Sequence, residues 1–180
     1  FKITSTTDRC EVLPDAGIVV VAIEQRCYEM WRLDIEVPIK HGTKNLYGEN
    51  GGPGGAFHTF RQVPPTLEIA RDMERLCPNA WLINMSNPES RLCLALNRYT
   101  KIKSVGVCLG AYITQSNLAQ KVLGLGQNDI DIKVAGINHC HWVMHIHRTG
   151  TGEDLYPQVR EKIKEVDASW EPLSRECLDR

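Results

Sequence analysis

Ile18-Val19-Val20-Val21-Ala22-Ile23 is the stretch from which the fold is read. It is apolar without interruption and β-branched almost throughout, the pattern of a strand buried on both faces, as a central strand of a parallel sheet must be. Pro14-Asp15-Ala16-Gly17 before it reads as a turn, and 26–36 after it as a helix that ends ahead of Pro38. Farther along, 80–85 and 104–108 repeat the strand pattern in shorter form. Helical spacing occupies 64–76, 89–99 and 114–123, the last closed by Gly124. Strand and helix alternating through short connections predict a parallel α/β sheet. Residues 1–6 alternate with period two and predict a further short strand, followed by an N-cap signal at Thr7-Asp8.

Two segments break the alternation. Residues 42–55 hold Gly48, Gly51, Gly52, Gly54 and Gly55 around Pro53, a loop whose glycines let backbone approach a ligand or a second chain closely. No strand leads directly into it and its spacing is not Gly-x-Gly-x-x-Gly, so it is no dinucleotide fingerprint. In 130–148, His139, His141, His145 and His147 share one parity, and Trp142, Met144 and Ile146 the other. An extended strand there puts the histidines on one face and the apolar residues on the opposite one. Beyond the turn Gly150-Thr151-Gly152, Asp154 is placed to cap a helix over 155–166.

The bulk properties exclude several classes. A chain of 180 residues, 42% hydrophobic and 24% charged, suits a globular protein with a substantial core. A formal net charge of -1 removes the electrostatic case for nucleic acid or anionic membrane as partner. No apolar stretch is long enough to span a bilayer. Seven cysteines, an odd number with no CxxC pair, argue for reduced thiols and a cytoplasmic location rather than a disulfide scaffold. The chain opens on Phe1-Lys2-Ile3-Thr4-Ser5 without an initiating Met, so we expect a segment of something longer.

The candidate chemistry gathers where strands end, which is where open parallel sheets collect their ligands. Cys108 closes one apolar run and is followed by Gly110; Asn138 and His139 close another, Val134-Ala135-Gly136-Ile137. A thiolate and an imidazole delivered to one rim could hold a divalent metal. Taken alone, Cys108 reads better as a small hydrophobe ending a core strand. Asn87 precedes Pro88 and so is turned out of the helical region beyond its strand. Glu49, inside the glycine loop, is a potential acid or base or simply a solvated carboxylate.

The order of these signals resembles glycoside hydrolase family 4. The resemblance rests on 32–42 (Arg-Leu-Asp-Ile-Glu-Val-Pro-Ile-Lys-His-Gly), Gly52-Pro53-Gly54-Gly55-Ala56-Phe57 with Arg61, and Ser86-Asn87-Pro88. It continues in Gly106-Val107-Cys108-Leu109-Gly110, Gly136-Ile137-Asn138-His139 and 152–157 (Gly-Glu-Asp-Leu-Tyr-Pro). It implies a Rossmann-like sheet similar to that of lactate and malate dehydrogenases. The sheet lacks its first strands: 1–110 would be the remainder of an NAD-binding domain and 111–180 the start of an α+β substrate and metal domain. It implies a glycosidase that needs NAD and a divalent metal, usually Mn2+, and stands outside the two-carboxylate scheme. On the matching positions, Cys108 and His139 would be metal ligands, Asn87 and Asn138 substrate contacts, and Ala22 and Ile23 neighbours of the cofactor. Glu49 would be the catalytic carboxylate that makes a tyrosine base stronger, and Arg32 a further substrate contact. In that family, hydride leaves C3 of the sugar for NAD, the ketone acidifies the C2 proton, and the metal stabilises the enediolate. The C1 substituent is eliminated, water adds, and hydride returns.

This sequence departs from the family where members carry aspartate or histidine as proton donor after the metal cysteine: Leu109 stands there, and the leaving-group acid is unassigned. The opening strand with its pyrophosphate turn, and the segment with the tyrosine base, are not in these residues, so the chain by itself is expected to be inactive. The expected partner is a small glycoside, and a homo-oligomer, dimer or tetramer, is implied. Two alternatives stay open: an NAD-dependent 2-hydroxy acid dehydrogenase on the same kind of sheet, and a non-catalytic remnant of the glycosidase fold.

Overall fold

The computed structural model describes residues 2–43, 51–137 and 140–166, and divides into two compact units, Phe1–Cys108 and Leu109–Arg180. Unit 1 contains β1 (Ile18–Val21), α1 (Cys27–Lys40), α2 (Gly52–Leu76), β2 (Trp81–Asn84), α3 (Glu89–Tyr99) and β3 (Lys103–Gly106). Its sheet is parallel in the order β1-β2-β3, with Val21, Asn84 and Gly106 in register at the carboxyl end. The α/β reading of the sequence therefore holds. One detail is corrected: among the described residues β2 is the central strand and β1 an edge. A continuous apolar run reports apolar residues on both faces and carries no information about lateral position. Residues 2–6 form no strand, and Ile3 is 92% exposed; alternation without a neighbour to pair with makes no ladder.

One face of the sheet is packed. Val21, Leu82, Ala70, Met73 and Leu96 are buried in a single cluster, with Val19 and Leu67 against it. Leu82, Met73 and Leu96 have no exposed surface, so each contributes about 1.5–3 kcal/mol of apolar burial. On the other face Ile18, Val20, Trp81 and Val105 are exposed.

The helices are longer than their sequence signals. α1 runs through Pro38 to Lys40 instead of stopping before it. A proline in a helix removes the donor to the carbonyl four residues back, here that of Asp34, and α2 closes on that very carbonyl at Gly54. A Cβ on Gly54 would collide with the Asp34 oxygen and stand 3.0 Å from its carbonyl carbon. The glycine segment read as a loop over 42–55 is thus helical from Gly52, and the backbone its glycines let approach is that of α1. α2 also runs through Pro64 and Pro65, where the sequence suggested a start; Pro53 in its first turn is the proline that marks the N-terminus. Asp34, buried, receives Arg61 of α2 at 2.7 and 3.3 Å, a second tie between the two helices.

Unit 2 contains α4 (Gly110–Asn117), a wider π-helical turn (Leu118–Leu123) closed by Gly124 at φ +70°, and α5 (Tyr156–Lys162). Its hairpin is β4 (Ile130–Ile137) and β5 (Cys140–Arg148), antiparallel. Asp154 accepts from the Tyr156 N–H at 2.9 Å, but the N-cap position is Leu155 and α5 ends at Lys162, short of the 155–166 read from the sequence. Leu118, Val122, Ile130, Ile146, Leu155 and Val159 form the core.

The parity read into β5 is broken. Lys133 pairs with His145 but Val134 with Val143, so Met144 is an extra residue, a β-bulge. The bulge brings Val143 and Ile146, three apart, onto the same packed side, while Trp142 and Met144 are 78% and 56% exposed. The histidines divide accordingly. His141 lies 3.0 Å from the Thr114 hydroxyl of α4, whereas His145 and His147 meet edge to face with ring centres 5.4 Å apart.

Candidate active site

Three of the expected site positions converge at the carboxyl end of the unit 1 sheet. Ala22 and Ile23 follow β1, Asn87 follows β2, and Cys108 follows β3, one or a few residues past the last paired row. Ala22, Asn87 and Cys108 are exposed and Ile23 is half-buried. Glu49, Asn138 and His139 lie outside the described residues. Among the described residues no group of three or more His, Cys, Asp or Glu could hold a metal ion.

The three tips are held by backbone and buried polar contacts. The Met85 N–H donates to the Val21 carbonyl at 2.8 Å, and the Val107 N–H to the Asn84 carbonyl at 2.9 Å. Asn84 has no exposed surface and Ser86 is 4% exposed. Asn84 Nδ2 donates to the Ser86 carbonyl (3.0 Å), and Asn84 Oδ1 accepts from the Ser86 N–H (3.2 Å). The Ser86 hydroxyl in turn accepts from the Ile23 N–H at 2.7 Å.

Thiols near this end differ in character. Cys93 on α3 has its thiol pushed up to about 11 by burial, and by the Glu89 carboxylate to which it donates at 3.3 Å. It is protonated at neutral pH and no competitor for a metal. Cys108 is the exposed thiol of this rim.

Sequence reasoning missed one polar cluster. Glu24, just past Ala22-Ile23, accepts from Gln62 Nε2 and lies 3.0 Å from His58 Nε2; both partners are buried on α2. The signal was available: His58 and Gln62 are four apart, so they share one face of any helix covering them. Reading that segment partly as a loop hid it.

Comparison with known proteins adds to this geometry. A family model described as family 4 glycosyl hydrolase matches residues 1–124, and its C-terminal domain model matches 134–178. The chain belongs to family 4 of the glycosyl hydrolases. Among curated family 4 relatives, an alpha-galactosidase of Bacillus subtilis is 37% identical over 91% of this chain and 37% of its own length. An alpha-glucosidase of Erwinia rhapontici is 35% identical over 94% of this chain and 38% of its own. A solved 6-phospho-alpha-glucosidase from gut microorganisms, in complex with NAD and Mn2+, superposes with TM-score 0.79 at 27% identity, covering 89% of this chain and 36% of that one. The chain therefore spans less than two fifths of the length of each of these three proteins. No helix among the described residues is long and apolar enough to cross a membrane.

Proposed function

We propose that these residues form the middle of a glycosidase that cleaves O-glycosidic bonds with the help of NAD and a divalent metal, Mn2+ by preference. The observation that carries the reading is the convergence of Ala22-Ile23, Asn87 and Cys108 on one sheet end in a family 4 chain. When bound, the nicotinamide supplies reversible oxidation of a sugar carbinol and the metal supplies Lewis acidity beside its oxygens. The donor chemistry fits: Cys108 offers an accessible thiol, which is a ligand once ionised. His139 is the proposed second ligand. Ala22 and Ile23 border the cofactor, Asn87 and Asn138 hold the sugar by amide hydrogen bonds, and Glu49 supports the base. Domain roles follow the same reading: 1–110 the remainder of the NAD-binding domain, 111–180 the start of the substrate and metal domain. The substrate is a small glycoside. A homo-oligomer and a cytoplasmic location belong to the reading as well, the latter supported by free thiols at Cys10, Cys27, Cys77 and Cys93.

The test is aryl glycoside cleavage by the longest polypeptide carrying this sequence. Aryl alcohol released only with NAD and Mn2+ both present, and solvent deuterium at C2 of the product sugar, are the expected results. Net NADH accumulation with a hydroxy acid would replace the reading with a dehydrogenase. A second reading, a sugar- or cofactor-binding module without turnover, is favoured by one residue. Leu109, 54% exposed next to Cys108, has no proton to give a leaving group. Binding of both groups without cleavage of any aryl glycoside would establish it.

A further inference from the structure

We propose that Ser86 and Asn84 are positioning residues that set the cofactor edge, the substrate amide and the metal thiol by fixing one peptide plane at each tip. The proposal rests on the glycosidase reading for what the tips do, and on hydrogen bonds alone for the coupling between them. The parallel ladder stops at the row Val21, Asn84 and Gly106. Past that row the Val107 N–H still reaches the β2 backbone, whereas the Ile23 and Ser86 N–H groups turn to side chains, because partly buried amides must find acceptors.

Two residues of β2 and its extension supply them. The Ser86 hydroxyl accepts the Ile23 N–H at 2.7 Å, which fixes the plane joining Ala22 to Ile23. Asn84 grips Ser86 from both sides, Oδ1 on its N–H and Nδ2 on its carbonyl. That carbonyl belongs to the plane leading into Asn87, so the start of the substrate amide is fixed too. The Asn84 carbonyl holds the Val107 N–H at 2.9 Å, one residue before Cys108. Both side chains are at least nine-tenths buried while the tips they hold are exposed, so neither is placed to touch a ligand itself. Their chemistry is specific: the hydroxyl must accept, and the carboxamide must accept and donate at once. Alanine can do neither, and aspartate cannot donate.

The experiment compares Ser86→Ala, Ser86→Cys and Ser86→Thr by amide hydrogen exchange and by NAD+ titration of the longest polypeptide carrying this sequence. Exchange at Ile23 is expected to be slowest with Ser and Thr, faster with Cys, and fastest with Ala. Exchange at Leu82, inside the sheet, stays unchanged. The Ala variant should bind NAD+ about tenfold more weakly, within what an unsatisfied buried donor costs, and Thr should restore it. If the Ala variant does not fold, the Cys and Thr pair carries the same comparison. An Ile23 rate that rises no more than that of Leu82, or a Thr variant that restores nothing, would overturn the proposal. Failure of the longest wild-type polypeptide carrying this sequence to bind NAD+ would sink the functional reading, and the exchange order alone would then decide the positioning role.

Discussion

Substituting Gly54 by alanine tests the contact that joins α1 to α2. In an exposed helix, glycine to alanine is favourable by about 1 kcal/mol, because alanine loses less backbone entropy. At Gly54 the added methyl meets the Asp34 carbonyl oxygen, with the carbonyl carbon at 3.0 Å and the Asp34 Cα at 3.4 Å. All three atoms are backbone, so no side chain can swing aside; one helix must move off the other. Overpacking of this kind costs about 1–3 kcal/mol even after the propensity gain is counted. For a unit of roughly 100 residues each kcal/mol shifts the melting temperature by about 4–8 °C, so a fall of about 5–20 °C is expected. Gly17 is the matched control: a Cβ there meets nothing within 4 Å and its φ is not positive, so Gly17→Ala should be neutral or slightly stabilising. Urea unfolding read by exchange of Ala70 and Met73 amides reports on unit 1 alone. Equal midpoints for G54A, G17A and wild type would refute the close approach, and with it the account of why Pro38 is tolerated inside α1.

Three further outcomes follow from unit 1 thiol chemistry and unit 2 register. The Cys93 thiol, raised from 9.0 to about 11 in the folded state, binds its proton more tightly folded than unfolded. Its contribution is therefore complete below pH 9 and lost as pH rises toward 11, since there the unfolded chain binds fewer protons; Cys93→Ser should remove that slope from stability measured against pH. At pH 8, iodoacetamide should label Cys108 well before Cys93, and the reverse order by mass spectrometry would contradict the burial assigned to each. Deleting Met144 removes the bulge and leaves Val143 and Ile146 two apart on one face, so unit 2 should keep its dispersed NMR spectrum; collapse of that spectrum with unit 1 intact would show that Met144 is not supernumerary.

Element type was legible wherever periodicity and β-branching agreed. Ile18–Val21, Trp81–Asn84 and Glu89–Tyr99 fall where their patterns put them. The misreadings share a cause: Pro38, Pro64 and the Gly52–Gly55 run are local helix breakers overruled by packing between α1 and α2. A β-bulge leaves no mark in composition, so the parity of 139–147 could not reveal that Met144 is supernumerary. That Ala22, Asn87 and Cys108 lie just past strand ends was legible because strand ends are readable; the Glu24, His58 and Gln62 cluster was not, because it depends on a helix the glycines concealed.

The division of burial across the last ladder row has a consequence for how such a chain can change. Val21 and Asn84, at 2% and 0% exposure, record the axial position of the tips, whereas Ala22, Asn87 and Cys108, the positions proposed to meet ligands, are exposed. A slip of one residue between two strands would move a tip by about 3.3 Å and turn a buried side chain to the wrong face. The hydrophobic face thus acts as a ruler for groups it never touches. Chemistry at the rim can be exchanged one residue at a time while the ruler stays as it is.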